Sequence, residues 1–98
     1  MGSRQLYKCD FEVFGKVQGV FFRKYTEIKA KELGLHGWVR NTPRKTVKGQ
    51  LEGTLLELNE MKHWLSVKGS PKSHVDKAVF GALKPLNTYT FSTFTINK

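Results

Sequence analysis

The residues best suited to chemistry lie in the stretch GKVQGVFFRKY, at residues 15–25. Two glycines frame a short loop, and Arg23 follows where a helix would begin. A cation in the first turn of a helix opposes the helix dipole and costs roughly 0.3–1 kcal/mol at an exposed site. The contribution of this cation becomes favourable if an anion binds beside it, because the N–H groups at a helix start already attract anions. The stretch therefore favours an anion site.

The loop itself supplies further N–H donors. Glycines at 15 and 19 allow the backbone to curl so that successive N–H groups converge, and a guanidinium is a planar fork for two phosphate oxygens. The candidate phosphate-binding residues are Gly15, Lys16, Val17, Gln18, Gly19, Val20 and Arg23. The motif is neither a P-loop, since no GK[ST] follows the glycines, nor GxGxxG. Because glycine-rich loops before helices are common, the motif alone leaves an ordinary turn open.

A second candidate lies in GWVRNT, at residues 37–42, which ends a predicted strand with Asn41 at a turn. A carboxamide offers both a donor and an acceptor, enough to hold a water beside a bound phosphoryl group. The alternative is that Asn41 simply favours the turn. Thr42, Lys45 and Thr46 follow in the same hairpin and form a possible rim of the site.

The charge balance also favours an anionic partner. Seventeen Lys and Arg against eight Asp and Glu give a net charge of +9, which attracts phosphate esters, nucleic acid or acidic lipid but equally suits a solvated surface. The single cysteine, Cys9, excludes an internal disulfide and fits the reducing cytoplasm. No apolar run is long enough to cross a bilayer. His36, His63 and His74 lack the spacing of metal ligands, so no metal site is expected.

The elements that must position these residues follow from periodicity. Residues 7–13 alternate apolar and polar side chains, which predicts a half-buried strand. Residues 21–33 carry the pattern of an amphipathic helix, and Gly34 is placed to end it. Residues 35–41 and 46–52 predict two strands joined in a hairpin by TPRK.

The second half predicts one helix and one long strand. Thr54 and Glu57 match a capping box that opens a helix, which ends at residues 69–71. Its buried side carries Leu58, Met61 and Leu65. A fourth strand is predicted over residues 75–83, with a loop at 84–87. In the tail, Phe91 and Phe94 fall out of phase, which predicts a bulge at residues 92–93 or a break between two short strands.

The resulting order is β-α-β-β-α-β, with room for a short extra strand. It predicts an α+β fold, the ferredoxin-like α/β sandwich, in which two helices cover one face of an antiparallel sheet. Residues 7–98 are expected to form this single domain, and residues 1–6 to be disordered or tag-like. In such a sheet the start of the first helix and the hairpin share one region of the surface.

Several stretches together resemble the acylphosphatase family. They are GKVQGVFFR at residues 15–23, LGLHGWVRNT at 33–42, TVKGQLEG at 46–53, MKHWL at 61–65 and GSP at 69–71. The resemblance implies hydrolysis of acyl phosphates to a carboxylate and orthophosphate, without metal, cofactor or covalent intermediate. It implies phosphate binding by Arg23 and the loop amides, and positioning of the attacking water by Asn41. It also implies a cytoplasmic monomer that inorganic phosphate inhibits as product.

The residue inventory fits that chemistry. A carboxylate leaving group has a pKa near about 4 and departs without a general acid, so positioning and charge stabilisation suffice. One departure from the family pattern is Lys45, where a glycine is usual. If that turn needs a positive φ, a lysine there costs roughly 1 kcal/mol or more, unless the hairpin adopts another turn type.

The alternative from another class is a non-catalytic phosphate- or nucleic-acid-binding domain of the same fold. RNA-recognition modules stack bases on aromatic side chains of the sheet, especially of its third strand. The predicted third strand, TVKGQLEG, has no aromatic residue. Specific nucleic-acid binding is therefore not expected, although weak, salt-sensitive binding through charge stays open.

Overall fold

The protein folds around a six-stranded sheet, and the computed structural model describes residues 5–97 of the chain. Its strands are β1 (Leu6–Lys16), β2 (His36–Asn41), β3 (Val47–Thr54), β4 (His74–Phe80), β5 (Lys84–Leu86) and β6 (Phe94–Ile96). Its helices are α1 (Phe22–Leu33) and α2 (Leu55–His63), which a π-helical turn, Trp64–Lys68, continues. The strands run in the order β4-β1-β3-β2-β6, with β5 also beside β1. The predicted element order and the ferredoxin-like α/β sandwich are confirmed.

The side chains of the central strand β1 point alternately to a covered face of the sheet and to an open face. Cys9, Phe11 and Val13 are buried, whereas Asp10 and Glu12 lie on the open face. Burial raises the pKa of the Cys9 thiol, which suits the packing role predicted for it. Both helices pack on the sheet and on each other, and the strand that leads into the candidate loop lies within the sheet, between β3 and β4.

Helix α1 begins one residue later than predicted. Phe21 adopts the left-handed conformation (φ 58°) as the N-cap, so helical geometry starts at Phe22. Gly34 ends the helix in the left-handed conformation (φ 81°), as expected, and its amide donates to the Lys31 carbonyl at 3.1 Å. The first turn contains no acidic residue, so it leaves Arg23 without a neighbouring carboxylate there.

Helix α2 begins at the predicted capping box. The Glu57 amide donates to the Thr54 hydroxyl, and the Thr54 amide donates to the Glu57 carboxylate at 2.9 Å. Leu58, Met61 and Leu65 are fully buried. The helical segment ends before residue 69, as predicted. None of the helices within residues 5–97 is long and apolar enough to cross a membrane.

The two edges of the sheet correct three predictions. Strand β4 ends at Phe80 rather than at residue 83. Residues 84–86, predicted as loop, form β5 against β1; its proline is tolerated because the strand lies at an edge, and three residues are too few to show a period. Strand β6 pairs with β2 in parallel, so the sheet is antiparallel except at that edge.

The tail contains a break rather than a bulge. Residues 87–93 are irregular, and β6 begins at Phe94, which is fully buried. The carboxylate of Glu52, itself fully buried in β3, accepts hydrogen bonds from the Thr90 and Phe91 amides at 2.9 and 3.1 Å and from the Thr90 hydroxyl. Lys8 lies 3.5 Å from the same carboxylate. This buried anchor fixes the approach to β6.

The start of β1 lies within the segment predicted to be disordered or tag-like. Leu6 pairs with Thr54 and with Leu86, and the Gln5 side chain donates to the Leu86 carbonyl at 3.0 Å. Residues 1–4 of that segment lie outside the described residues, as does residue 98 of the predicted domain.

Candidate active site

An open cavity of about 410 Å³ lies where the loop after β1, the start of α1 and the end of β2 meet. Its lining consists of Val17, Gly19, Phe21, Phe22, Arg23, Lys24, Asn41 and Ile96. The two residues predicted to carry catalysis, Arg23 and Asn41, are therefore brought to one cavity although 18 positions of sequence separate them.

The loop between β1 and α1 presents a run of free N–H groups. No backbone N–H of residues 17–21 donates a hydrogen bond to any residue within 5–97. Gly19 has a φ of 75°, and a Cβ there would meet nothing within 4 Å, so conformation rather than crowding favours glycine at this position. Consecutive amides of this kind are suited to the anion-binding concavity that the sequence predicts.

Two of the predicted loop residues, Gly15 and Lys16, belong to the end of β1. They pair with Val75 and His74 of β4, across a bulge that follows Phe14. A Cβ on Gly15 would lie 2.2 Å from the His74 carbonyl oxygen, so this glycine is required by the close approach of the two strands. The candidate amides therefore start at Val17 rather than at Gly15.

Arg23 is half-buried in the first turn of α1 and faces the cavity. Within residues 5–97, its guanidinium forms no ion pair and no hydrogen bond. Its five N–H donors are thus available to a ligand. A cation held beside free amides and a helix N-terminus stabilises a bound anion through three sources of positive potential at once.

Asn41 is the last residue of β2, and its side chain carries an unusual feature. Its carboxamide oxygen Oδ1 is buried and has no hydrogen-bond partner. A buried acceptor left without a partner costs on the order of 1–3 kcal/mol. Because native proteins satisfy nearly all such atoms, an unpartnered oxygen on a residue that lines a cavity suits a ligand or water that supplies the missing donor.

The side chain of Gln18 faces away from the cavity and ties the loop to the hairpin. Its amide nitrogen donates to the carbonyl oxygens of Thr42 at 3.0 Å and Thr46 at 2.9 Å. The prediction placed Gln18 in the phosphate-binding set without a role for its side chain. Nothing in the sequence pattern signals this tether, because 24 and 28 residues separate the partners.

The predicted rim residues build the hairpin instead of lining this cavity. The hydroxyls of Thr42 and Thr46 lie 2.6 Å apart, and the Thr46 hydroxyl donates to the Glu12 carboxylate at 2.5 Å. Arg44 reaches the same carboxylate at 3.3 Å. Glu12 of β1, which the sequence reasoning missed, therefore anchors the turn that follows Asn41.

Lys45 adopts the positive φ that its place in the turn demands, at 66°. The conditional prediction that a lysine here is strained therefore applies. Its side chain lines a separate cavity of about 460 Å³ on the other side of the loop, together with residues 15–19. That cavity contains neither Arg23 nor Asn41.

A third cavity, of about 410 Å³, lies on the open face of the sheet. Its polar groups are occupied by one another: Trp38 donates to the Gln50 side chain at 3.1 Å, and Gln50 donates to Asp10 at 2.8 Å. Arg40 stacks over the Trp38 ring. No orphaned acceptor or run of free amides lies there among the described residues, so the cavity around Arg23 is the better candidate.

Among residues 5–97, no three His, Cys, Asp or Glu side chains are grouped so as to hold a metal ion. The two groups with shifted pKa values, Cys9 and Glu52, do not line the cavity around Arg23. The lining residues include no carboxylate and no histidine. The described residues of the site therefore offer positive potential and the unpartnered carboxamide oxygen of Asn41, without a carboxylate, histidine, hydroxyl or thiol side chain.

Fold and site together define a small α/β sandwich with a loop of unpartnered amides before its first helix. The family model for acylphosphatase matches residues 9–96, and the chain belongs to the acylphosphatase family. Acylphosphatase-1 of Homo sapiens is 53% identical over 93 residues, covering 95% of this chain and 94% of that protein.

Solved structures of bacterial acylphosphatases share the fold. The structure from Coxiella burnetii has a TM-score of 0.85 at 29% identity, covering 99% of this chain and 100% of that one. The structure from Bacillus subtilis has a TM-score of 0.84 at 27% identity, covering 94% of this chain and 99% of that one.

Proposed function

We propose that this protein hydrolyses acyl phosphates to a carboxylate and orthophosphate. The observation that carries the proposal is the buried, unpartnered Oδ1 of Asn41, which shares a cavity with Arg23 and the free loop amides. An acceptor of this kind suits a water molecule, and the positive surroundings suit a phosphoryl group. Membership of the acylphosphatase family supports the same reaction.

The phosphoryl group binds first in this proposal. Its oxygens accept hydrogen bonds from the amides of residues 17–21 and from the Arg23 guanidinium, none of which is engaged elsewhere within residues 5–97. The transition state of phosphoryl transfer is loose, with charge spread over the three equatorial oxygens. Donors fixed in place before reaction stabilise that charge without reorganisation.

Asn41 then positions the water that attacks phosphorus. Oδ1 accepts one hydrogen bond from the water, which aims a lone pair of the water at the phosphorus atom. The bond from phosphorus to the acyl oxygen breaks, and its electron pair leaves with the carboxylate. The proton of the attacking water passes to a phosphate oxygen, so the products are a carboxylate and protonated orthophosphate.

The cavity suits this leaving group and few others. A carboxylate has a pKa near about 4 and departs as an anion at neutral pH. An alkoxide leaving from a phosphate monoester needs a general acid, and the described part of the chain places no carboxylate or histidine in the lining of the cavity. We therefore expect the protein to discriminate strongly against phosphate monoesters.

Three finer features belong to the same proposal. Orthophosphate can accept the same hydrogen bonds from the loop amides and Arg23 as the phosphoryl group, so it should inhibit competitively as product. One chain brings both Arg23 and Asn41 to the same cavity, so a monomer suffices for the proposed reaction. A single, buried cysteine suits the reducing cytoplasm.

Hydrolysis of benzoyl phosphate in ¹⁸O-labelled water tests the proposal. Loss of ultraviolet absorbance reports turnover, and mass spectrometry locates the label. We expect the label in orthophosphate, because water attacks phosphorus rather than the carbonyl carbon. Label in benzoate would contradict the assigned geometry. Absence of turnover by the folded protein would favour a non-catalytic phosphate-binding domain.

A further inference from the structure

The cavity around Arg23 has more room than a phosphoryl group needs. Its volume of about 410 Å³ falls in the range of roughly 300–1,000 Å³ that is typical of small-molecule sites. In the proposed reaction the loop amides and Arg23 bind the phosphoryl group, and Asn41 positions the water. Two apolar side chains in the lining, Phe21 and Ile96, have no part in either task.

Phe21 combines an exposed aromatic side chain with a strained backbone conformation. Its side chain is 76% exposed, and its φ of 58° lies in the left-handed region that bulky residues rarely adopt. Among the described residues, its ring forms no aromatic pair and no cation–π contact. The packing of the fold does not explain why Phe21 combines a strained backbone with an exposed large apolar side chain. Residues of both kinds concentrate at functional sites.

Ile96 reaches the same cavity from the opposite end of the sequence. It lies in β6 and pairs with Val39 of β2, two positions before Asn41. The amide of Asn97 donates to the Val39 carbonyl at 2.8 Å. This pairing fixes Ile96 on a strand of the sheet, so it forms a rigid apolar wall of the cavity.

The charges at the cavity disfavour an acidic acyl group. Among the described residues, the cations that line it are Arg23 and Lys24. Arg23 is taken by the phosphoryl group in the proposed reaction, and the Lys24 ammonium lies 3.4 Å from the Glu27 carboxylate. A second carboxylate on the acyl group would therefore meet no free cation among the lining residues that lie within residues 5–97.

We infer that Phe21 and Ile96 form the acyl subsite of the protein, and that its preferred substrates are acyl phosphates with an apolar, above all aromatic, acyl group. The inference rests on the proposed function and specifies its substrate class. The acyl group lies against the exposed ring and the β6 wall, while its carbonyl oxygen points toward solvent at the open mouth of the cavity. Aromatic groups gain most, because ring pairs attract beyond their buried area.

The test compares kcat/KM for benzoyl phosphate and for acetyl phosphate. The wild type is measured beside Phe21→Ala, Phe21→Leu and Ile96→Val, with inhibition by inorganic phosphate recorded for each. Leu56→Ala is the matched control, because Leu56 is 75% exposed on α2 and does not line the cavity.

We expect the wild type to prefer benzoyl phosphate, and Phe21→Ala to lower the benzoyl-to-acetyl ratio roughly fivefold to tenfold. Phe21→Leu and Ile96→Val should lower the ratio less, and Leu56→Ala should leave it unchanged. An unchanged ratio in Phe21→Ala, with both substrates still hydrolysed, would overturn the acyl subsite alone. Equal losses for both substrates together with weaker phosphate inhibition would also overturn it, since Phe21 would then act only on the shape of the loop. A wild type that hydrolyses neither substrate would overturn the proposed function itself.

Discussion

The side-chain nitrogen of Gln18 lies 2.9 Å from the carbonyl oxygen of Thr46, across 28 residues of sequence. A second bond from the same nitrogen to Thr42 makes the contact a clamp between the loop and the hairpin. Because the loop supplies the amides and the hairpin follows Asn41, in the proposed mechanism the clamp fixes the distance between a bound phosphoryl group and its attacking water.

Gln18→Ala should therefore impair catalysis without removing any group that contacts substrate. We expect kcat/KM for benzoyl phosphate to fall roughly tenfold, because small misplacements of reacting groups are costly. The free energy of unfolding should fall by about 1–2 kcal/mol for two lost hydrogen bonds. Gln50→Ala is the control, since that side chain also makes two hydrogen bonds but on the open face. A similar loss of activity in both variants would contradict the clamp.

Arg23→Ala should weaken both turnover and phosphate inhibition. Loss of one preorganised charge stabiliser typically costs about 10²–10³ in kcat, and the inhibition constant of inorganic phosphate should rise with it. Arg23→Lys should recover only part of the activity, because an ammonium lacks the planar fork. Arg40→Ala, which removes an exposed cation from the open face, controls for the loss of net charge. The proposed role of Arg23 is wrong if Arg40→Ala weakens phosphate inhibition equally.

Asn41→Ala should separate catalysis from binding. We expect kcat to fall by at least about 10²-fold while the inhibition constant of phosphate stays within about threefold. Because the variant also removes a buried oxygen without a partner, its free energy of unfolding should not fall, in contrast to Gln18→Ala. Urea titration and steady-state kinetics on one preparation measure both quantities. Parallel loss of phosphate binding would show that Asn41 holds the anion rather than the water.

Lys45→Gly should stabilise the protein. The φ of 66° costs a lysine about 1–2 kcal/mol, and the greater freedom of glycine in the unfolded chain offsets part of that gain. We expect a net rise of about 0.5–1 kcal/mol in the free energy of unfolding. Lys48→Gly, within β3, should have the opposite sign. A large increase in kcat/KM of Lys45→Gly would further show that the native hairpin limits turnover.

Glu52 should make the stability of the protein depend on acidity. Burial raises the pKa of this carboxyl, but the hydrogen bonds from Thr90 and Phe91 and the charge of Lys8 outweigh it, so its pKa lies below the ordinary 4.5. A carboxylate of this kind stabilises the fold fully above its unfolded-state pKa, and the stabilisation is lost as pH falls through the folded-state value.

The free energy of unfolding should thus decline more steeply below about pH 4.5 in the wild type than in Glu52→Gln. Urea denaturation at a series of pH values measures the slope. Glu60→Gln serves as the matched control, because Glu60 is an exposed residue of α2. Equal slopes in the wild type and Glu52→Gln would mean that the buried carboxyl carries no pH-dependent stability.

The contrast between Arg23 and Gln18 shows how far sequence reasoning reaches into this site. Arg23 is predictable as a cavity residue because its charge contradicts the local helix dipole, whereas Asn41 is a candidate only through the resemblance to the acylphosphatase family, since its place at a turn has a simpler explanation. The strain at Lys45 is predictable only conditionally, from the glycine usual in the family pattern, and the φ of 66° meets that condition. The clamp from Gln18 and the contact of Glu12 with Thr46 are not, because each depends on side-chain positions that only the assembled sheet defines.

The same limit applies to the fold. The capping box at Thr54 and the helix end at Gly34 are local signals, and both are confirmed. The parallel edge strand β6 has three residues, too few for a periodic pattern, and its direction depends on a crossover from the other edge of the sheet. Ile96 was missed as a site residue for that reason.

The parallel pairing of β6 with β2 has a consequence for how the molecule reaches its working state. The paired residues Val39 and Ile96 are far apart along the chain, and contacts of such long range close slowly, after the loops between them are ordered. The loop before α1, the turn between β2 and β3, and Asn41 all lie within residues 17–46. They can therefore assemble before β6 pairs with β2. During refolding, we expect phosphate binding to return ahead of discrimination between acyl groups, which would be the last property to mature.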